Sequence, residues 1–295
     1  MSATAVLGVD VGGTTVKARL VSDEWRTLAE WRRPTPHDDA TGALTAGIVS
    51  DLLVEARQCM YVSAVGVVVP GIVDENSGVC VRAVNLGWND LPIGDILESR
   101  LGMAVAFGQD VRAGALAEVV RGAAQSIPGL VAFVPIGTGV ASAFAVDGTL
   151  LASDGWAGEI GQIIISRGPH AGQRMEEVSS AAGIARVLGV ADAHIAAQMV
   201  RAGDRIAVGV WNDAVEFLAE GLAWMTATLA PKVIVIGGGL AEAGDLLFDP
   251  LRARLAAWTP GLRSPELVPA AHGEAAAVVG ACELAMRLVR DVVHS

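Results

Sequence analysis

Three apolar runs in this chain each break into a glycine turn. Residues 6–10 lead into Gly12-Gly13-Thr14-Thr15, residues 130–136 into Gly137-Thr138-Gly139, and residues 232–236 into Gly237-Gly238-Gly239. A short apolar run bounded by glycine reads as a buried strand. Glycine reaches positive φ and lets backbone approach a ligand closely, so consecutive N–H groups in such a turn can face an anion; threonine adds a hydroxyl donor. A plain tight turn uses the same residues, but three such turns after strands, two carrying threonine, favour a shared phosphate-binding role. None is G-x-x-x-x-G-K-[ST], and the first is not G-x-G-x-x-G, because a strand rather than a helix follows it. Asp10 ends the first strand just before the glycines. A carboxylate there can hold Mg²⁺ directly or through water, or act as the acceptor of an Asx turn.

Around these turns, short apolar runs alternate with longer helical patterns, the grammar of an α/β protein. Strands are expected at 6–10, 16–21 and 27–31, in an antiparallel meander, then at 62–69, 79–84, 104–107, 130–136, 140–146 and 232–236. Helices are expected at 40–57, 93–101, 111–121, 178–188, 192–200 and 211–229, from 239 to about 257, and from 274 to about 292. Residues 85–88 read as a loop. The small, polar, proline-containing segment 122–129 suggests a boundary between domains 1–122 and 123–295, with the terminal helix able to pack back on the first. Strand, Gly/Thr turn and strand recur in both halves, which points to a duplicated unit.

Charge narrows the partners. Lys+Arg 21 against Asp+Glu 32 gives a net charge of −11, and Lys17 and Lys232 are the only lysines. An acidic chain does not form an exposed groove that tracks a phosphate backbone, so nucleic acid is not expected. A nucleotide stays open, since backbone N–H groups and a metal can hold its phosphates. Gly, Pro or charge interrupts every apolar stretch well short of the about 18 residues that span a bilayer. Residues 1–10 lack the basic flank and long apolar core of a signal peptide. Cys59, Cys80 and Cys282 show neither a disulfide framework nor C-x-x-C spacing. These features describe a reduced, cytoplasmic protein with no membrane partner.

Taken in order, Leu7-Gly8-Val9-Asp10-Val11-Gly12-Gly13-Thr14, Val69-Pro70-Gly71, Asn85-Leu86-Gly87-Trp88, Gly137-Thr138-Gly139, Gly158-Glu159-Ile160-Gly161 and Gly237-Gly238-Gly239 resemble the ROK family of sugar kinases, within the actin-like ATPase group. The resemblance spans nearly the whole chain. It implies an α/β, two-domain actin-like ATPase (ribonuclease H-like) fold with a cleft between domains, where ATP·Mg²⁺ and a hexose meet. The implied reaction is glucokinase-like phosphoryl transfer to a sugar hydroxyl, usually that on C6. Asp110, of the pair Gln109-Asp110, matches the family base; an ionised carboxylate can take the hydroxyl proton during attack on the γ-phosphorus, and the same position suits an N-cap. Glu159 and Glu176 match glutamates that accept hydrogen bonds from sugar hydroxyls, with Asn85 and Gly71 as wall contacts. Gly12, Gly13, Thr14, Thr15, Gly137, Thr138 and Gly139 would cradle phosphates, and Gly238 and Gly239 would border the adenosine. Homodimers are common in the family, so a homodimer is an open reading.

Departures from the family pattern matter equally. Where most members carry a histidine after Gly-Glu-x-Gly and a C-x-C-G-x-x-G-C run that binds zinc, this chain has Gln162, Arg167, Pro169 and Arg174. None of these replaces a thiolate, His170 alone is a loop residue, and no structural zinc is expected. Gln109 stands for asparagine and Gln162 for histidine among the residues expected to orient the sugar; a displaced polar partner changes which hydroxyl pattern is accepted. Two alternatives follow: a catalytically silent sugar sensor on the kinase fold, and a polyphosphate-using kinase served by Arg32-Arg33 and the arginines of 167–174. A DNA-binding repressor is disfavoured by the acidic charge and by the short segment upstream of the first strand.

Overall fold

The computed structural model describes residues 4–294. Two compact units emerge. One comprises Met1–Ala117, Ala152–Ala157 and Ala275–Ser295, the other Glu118–Leu151 and Gly158–Glu274. The expected boundary at 122–129 is therefore not where the chain divides. The helix that opens at Asp110 runs through the division, and Glu118 closes its end by accepting the Ala123 N–H at 2.8 Å, so the following segment is tied rather than free.

In the first unit the strands β1 (Ala5–Val11), β2 (Thr15–Ser22) and β3 (Thr27–Pro34) form the expected meander. Helix α1 (Ala43–Cys59) leads to β4 (Val62–Val69), which lies parallel to β1. Next come β5 (Ile72–Asp74), β6 (Val79–Ala83) and β7 (Trp88–Leu91), a separate three-stranded antiparallel sheet. Helix α2 (Ile93–Leu101), strand β8 (Val105–Gln109) and helix α3 (Asp110–Arg121) follow. The main sheet has the order β3-β2-β1-β4-β8. Every residue of β1 is buried, as expected of a strand covered on both faces.

The second unit repeats that plan. Strands β9 (Leu130–Pro135), β10 (Ala143–Val146) and β11 (Thr149–Leu151) form a meander. Helices α4 (Met175–Ser179), α5 (Ala181–Leu188), α6 (Ala193–Arg201) and α7 (Arg205–Leu229) precede β12 (Val233–Gly237), α8 (Asp245–Trp258) and β13 (Glu266–Pro269). The order β11-β10-β9-β12-β13 matches the first sheet strand for strand, with β9 antiparallel to β10 and parallel to β12.

Helix α9 (Ala276–His294) returns to the first unit and covers the sheet through small residues. A Cβ on Gly8 would lie 2.6 Å from the Cys282 backbone nitrogen, one on Gly66 would strike the Ala281 carbonyl, and one on Gly280 would strike the Ala113 carbonyl. Glycine at these positions permits backbone-to-backbone packing that any side chain would block. Among the described residues, no helix is long and apolar enough to cross a membrane.

Several expectations need correction. The single helix expected at 178–188 is two, because Ser180 is extended and caps α5 by accepting the Gly183 N–H, a local bond that competes with helix continuation. The strand expected to start at residue 140 starts at Ala143; Val140 makes only an isolated bridge to Ile136. Residues 85–88 are not all loop, since Trp88 opens β7 and its indole donates to the Asp39 carbonyl at 2.7 Å. After Gly238 the chain makes a 3-10 turn and breaks at Gly244 before α8. Strands β5, β11 and β13, three or four residues each, are too short to leave an alternating pattern.

Candidate active site

The first glycine turn joins β1 to β2. Asp10 faces Lys17 across the ladder and is 7% exposed. Burial pushes its carboxyl up to about 6, partly opposed by Lys17, because desolvation penalises the charged form. The Gly12 N–H donates to the Thr15 carbonyl at 3.1 Å, and the Thr35 hydroxyl donates to the Gly12 carbonyl at 2.7 Å. Thr35, buried on the strand-exit segment, also donates its N–H to the Thr14 carbonyl, so both sides of the turn are pinned. A Cβ on Gly13 would lie 3.3 Å from that of Asn85; the expected sugar-wall residue sits against the expected phosphate loop. Thr14 is exposed and Thr15 half-buried.

At the far end of the same sheet, Gln109 closes β8 and Asp110 opens α3. The Asp110 Oδ1 accepts the Val111 N–H at 2.7 Å and the Gln109 side-chain Nε2 at 2.8 Å. The Gln109 Oε1 accepts the Arg112 N–H at 2.8 Å. The amide expected to orient a sugar is therefore engaged with the acid and with the first turn of α3. Gly71, at φ +98° in the bend between β4 and β5, has no room for a Cβ beside the Arg82 carbonyl.

In the second unit the structure gathers residues that are far apart in sequence. The Gly137 N–H donates to the Gly139 carbonyl at 3.0 Å, a very tight turn, and the Ala182 N–H at the start of α5 donates to the Gly137 carbonyl. A Cβ on Gly139 would lie 2.7 Å from the Glu176 Oε2, and one on Gly161 would lie 3.2 Å from the Glu176 Cβ. The Glu176 Oε1 accepts the Gln162 Nε2 at 2.9 Å, while Arg174 donates to the Gln162 Oε1 at 3.2 Å and pairs with Glu176 at 3.5 Å. Glu159 is half-buried just before the Ile160–Gln162 turn. Its loop is fixed where Ser142 donates both its N–H and its hydroxyl to the Gly158 carbonyl. The third glycine turn adjoins the second: the Ile136 N–H donates to the Gly237 carbonyl, the Leu240 N–H donates to the Ile136 carbonyl, and a Cβ on Gly238 would strike Ile136. Gly239 is exposed beside them.

The positions where zinc ligands would stand carry a different anchor. Arg167 pairs with Glu220 at 3.0 Å and Glu216 at 3.4 Å, and its guanidinium lies 4.9 Å from the Trp258 ring centroid and 5.6 Å from that of Phe217. His170 Nε2 meets Asp213 at 2.9 Å, and its ring stands edge-on to Phe217. Beneath them Ile165, Met175, Val178 and Phe217 form a buried cluster. Among the described residues, no three His, Cys, Asp or Glu side chains gather as metal ligands. Pro169 lies in the exposed turn between Arg167 and His170.

Residues outside the expected set also support these groups: Thr35 on the first turn, Arg174 on Gln162 and Glu176, and Arg112 with Glu75 behind Gln109. Nothing in the spacing of Thr35 or Arg112 marks them, since each acts through a partner distant in the chain, whereas Arg174 also pairs with Glu176 two residues on.

Two sheets of one strand order, each with a glycine turn between its first antiparallel pair, define the actin-like ATPase fold. The chain belongs to the ROK family, whose sequence profile matches residues 6–288. A glucokinase of Halalkalibacterium halodurans is 31% identical over 291 residues, covering 88% of this chain and 87% of its own. The solved structure of a ROK family glucokinase from Streptomyces griseus, in complex with glucose and AMPPNP, superposes with a TM-score of 0.82 at 26% identity, covering 96% of this chain and 99% of that one. An inorganic polyphosphate/ATP-glucomannokinase from Arthrobacter sp. strain KM superposes with a TM-score of 0.73 at 29% identity, covering 96% and 99%.

Proposed function

We propose that this sugar kinase transfers the γ-phosphoryl group of ATP to the C6 hydroxyl of a hexose, with Asp110 as the base. The observation that carries the reading is the Asp110 carboxylate, half-buried at the end of β8 and oriented by two N–H donors on one oxygen. Such donors stabilise the ionised form and fix its direction. As the sugar oxygen forms its bond to the γ-phosphorus, the bond from that phosphorus to the bridging oxygen breaks and ADP leaves; the hydroxyl proton passes to Asp110. Phosphoryl transfer depends mainly on alignment and charge neutralisation, so a modest base is enough.

Glu176, with Gln162 and Arg174 arranged on it, and Glu159 would accept sugar hydroxyls. The N–H groups of the first two glycine turns other than those of Gly12 and Gly137, which donate inside their own turns, would meet phosphate oxygens, and Gly238 and Gly239 would border the adenosine. Asp10 fits a Mg²⁺ held largely through water: it is a single carboxylate at the turn, desolvated by burial and only partly offset by Lys17, and Mg²⁺ takes one or two carboxylates and keeps several waters. When bound, the ion would neutralise charge on the transferring phosphates.

ATP is favoured over polyphosphate because Arg33, Arg167 and Arg174 are all paired with carboxylates, which leaves little surplus positive charge for a long polyanion. Glucose is the first acceptor to try, since the H. halodurans relative is a glucokinase; Gln109 and Gln162 favour altered or broadened acceptance.

The test is ADP release over a panel of hexoses and amino-hexoses with ATP, repeated with polyphosphate, on wild type and Asp110→Asn. Turnover with at least one hexose and a loss of about 10²–10⁴ in kcat for the variant, with sugar affinity within a few-fold, are expected. Binding without turnover on every sugar would indicate a sensor instead, and full turnover in Asp110→Asn would remove the base assignment.

A further inference from the structure

An arginine is buried directly behind the acid. Arg112 is 2% exposed, two residues after Asp110 on α3. Its Nε donates to the Glu75 Oε1 at 3.0 Å, its Nη2 to the Val73 carbonyl at 2.8 Å, and its Nη1 reaches the Gly155 carbonyl at 3.5 Å. The same Glu75 oxygen accepts the Gln109 N–H at 3.0 Å. Gln109 in turn spans the junction: its Nε2 holds the Asp110 Oδ1 and its Oε1 holds the Arg112 N–H.

A buried guanidinium needs several acceptors in fixed directions, and here those acceptors come from the middle of β5, the residue after that strand, and the Ser153–Gly155 turn. Gly155 approaches Val73 so closely that a Cβ would strike its carbonyl. Arg112 therefore locks three chain segments of the first unit around the strand-to-helix junction that aims Asp110. Its charge is balanced by Glu75, so its effect is one of direction.

We propose that Arg112 is a positioning residue for phosphoryl transfer, acting with Glu75 through Gln109 on the Asp110 carboxylate. It touches neither sugar nor nucleotide in this scheme. The proposal rests on Asp110 being the base, and the two can fail separately. A ångström-scale misplacement of a reacting group costs up to about 100-fold in rate, whereas ligand binding by other residues is unaffected.

Arg112→Lys keeps the charge and removes the fork; Glu75→Gln keeps an acceptor and removes the charge. Arg112→Lys is expected to lower kcat about 10- to 100-fold with KM for hexose and ATP within about two-fold, and Glu75→Gln to lower it less. The decisive measurement repeats Arg112→Lys in an Asp110→Asn background. Groups acting as a unit are non-additive, so the lysine substitution should then change the residual kcat less than two-fold. An equal loss in both backgrounds, or an unchanged kcat in Arg112→Lys alone, overturns the positioning role. If Asp110→Asn itself retains full turnover, the base reading falls, whatever Arg112→Lys does. Should Arg112→Lys fold poorly by circular dichroism, Glu75→Gln is taken through the same cycle with the same criteria.

Discussion

Asp10 is held at a cost to the fold. With a folded value of about 6 against an ordinary 3.8, the carboxyl is ionised at pH 7 in both folded and unfolded chains, and only the folded one suffers the desolvation. As pH falls through 6 the folded form takes up a proton first, so the penalty shrinks and nearly vanishes around pH 4. Asp10→Asn should therefore stabilise the ligand-free protein by about 3 kcal/mol at pH 7, and the gain should fade as scanning calorimetry is repeated toward pH 4. The same variant should lose most activity and require more Mg²⁺. A stable variant with undiminished Mg²⁺-dependent turnover would remove Asp10 from the metal's neighbourhood. Asp10 was legible because its setting is local, a strand end followed at once by glycines. Arg112 was not, because an arginine two residues past an acid has no signature until Val73, Glu75 and Gly155 are brought to it.

At the scale of elements, the segment from Ile163 to Met175 carries Arg174 and leads into Glu176. It folds back on itself, with the Ile165 N–H donating to the Gln173 carbonyl and the Met175 N–H to the Ile163 carbonyl, and is anchored on α7 and α8 by Arg167 and His170. Such an anchor predicts that dialysis against a chelator leaves the melting temperature unchanged. Arg167→Ala should cost about 1 kcal/mol, the sum of a partly exposed ion pair and its ring contacts. It should also raise the hexose KM several-fold by loosening Glu176; stoichiometric zinc and a chelator-sensitive melt would contradict this account. Sequence pattern located β4 and α2 to the residue, since each carries a clear apolar period between breakers. It merged α4 with α5, because the Ser180 cap is a single local hydrogen bond inside an otherwise continuous helical pattern.

For the whole molecule, one strand order occurs twice, and the three glycine turns sit at equivalent ends of the first and fourth strands of that plan or between its antiparallel pair. Of the residues named in the proposed reaction, Asp10 and Asp110 lie in the first unit, and Gly137–Gly139, Glu159, Gln162, Glu176 and Gly238–Gly239 in the second. A ligand that binds only the native state stabilises it by mass action. Hexose at a hundred times its dissociation constant should add about 2.7 kcal/mol to unfolding, equally in wild type and Asp110→Asn, because the base acts on rate rather than affinity. A melting shift present in wild type and absent in the variant would mean that Asp110 is needed for binding.

What the amino-acid sequence determined by itself is what short-range physics decides. Steric freedom at Gly238, which takes a positive φ, the glycine turns at Gly12-Gly13 and Gly137, the apolar periods of the strands, and the acidic balance are properties of neighbours in the chain. They were sufficient for the α/β class, the repeated strand-turn-strand unit and the ordered family motifs. Only the tertiary structure set Glu176 against Gly139, drew Arg112 onto Glu75 and Val73, placed the division within α3, and returned α9 to the first sheet. Each of those depends on closing long stretches of chain, and the contacts that offset the entropy of closure lie between residues with no local pattern in common.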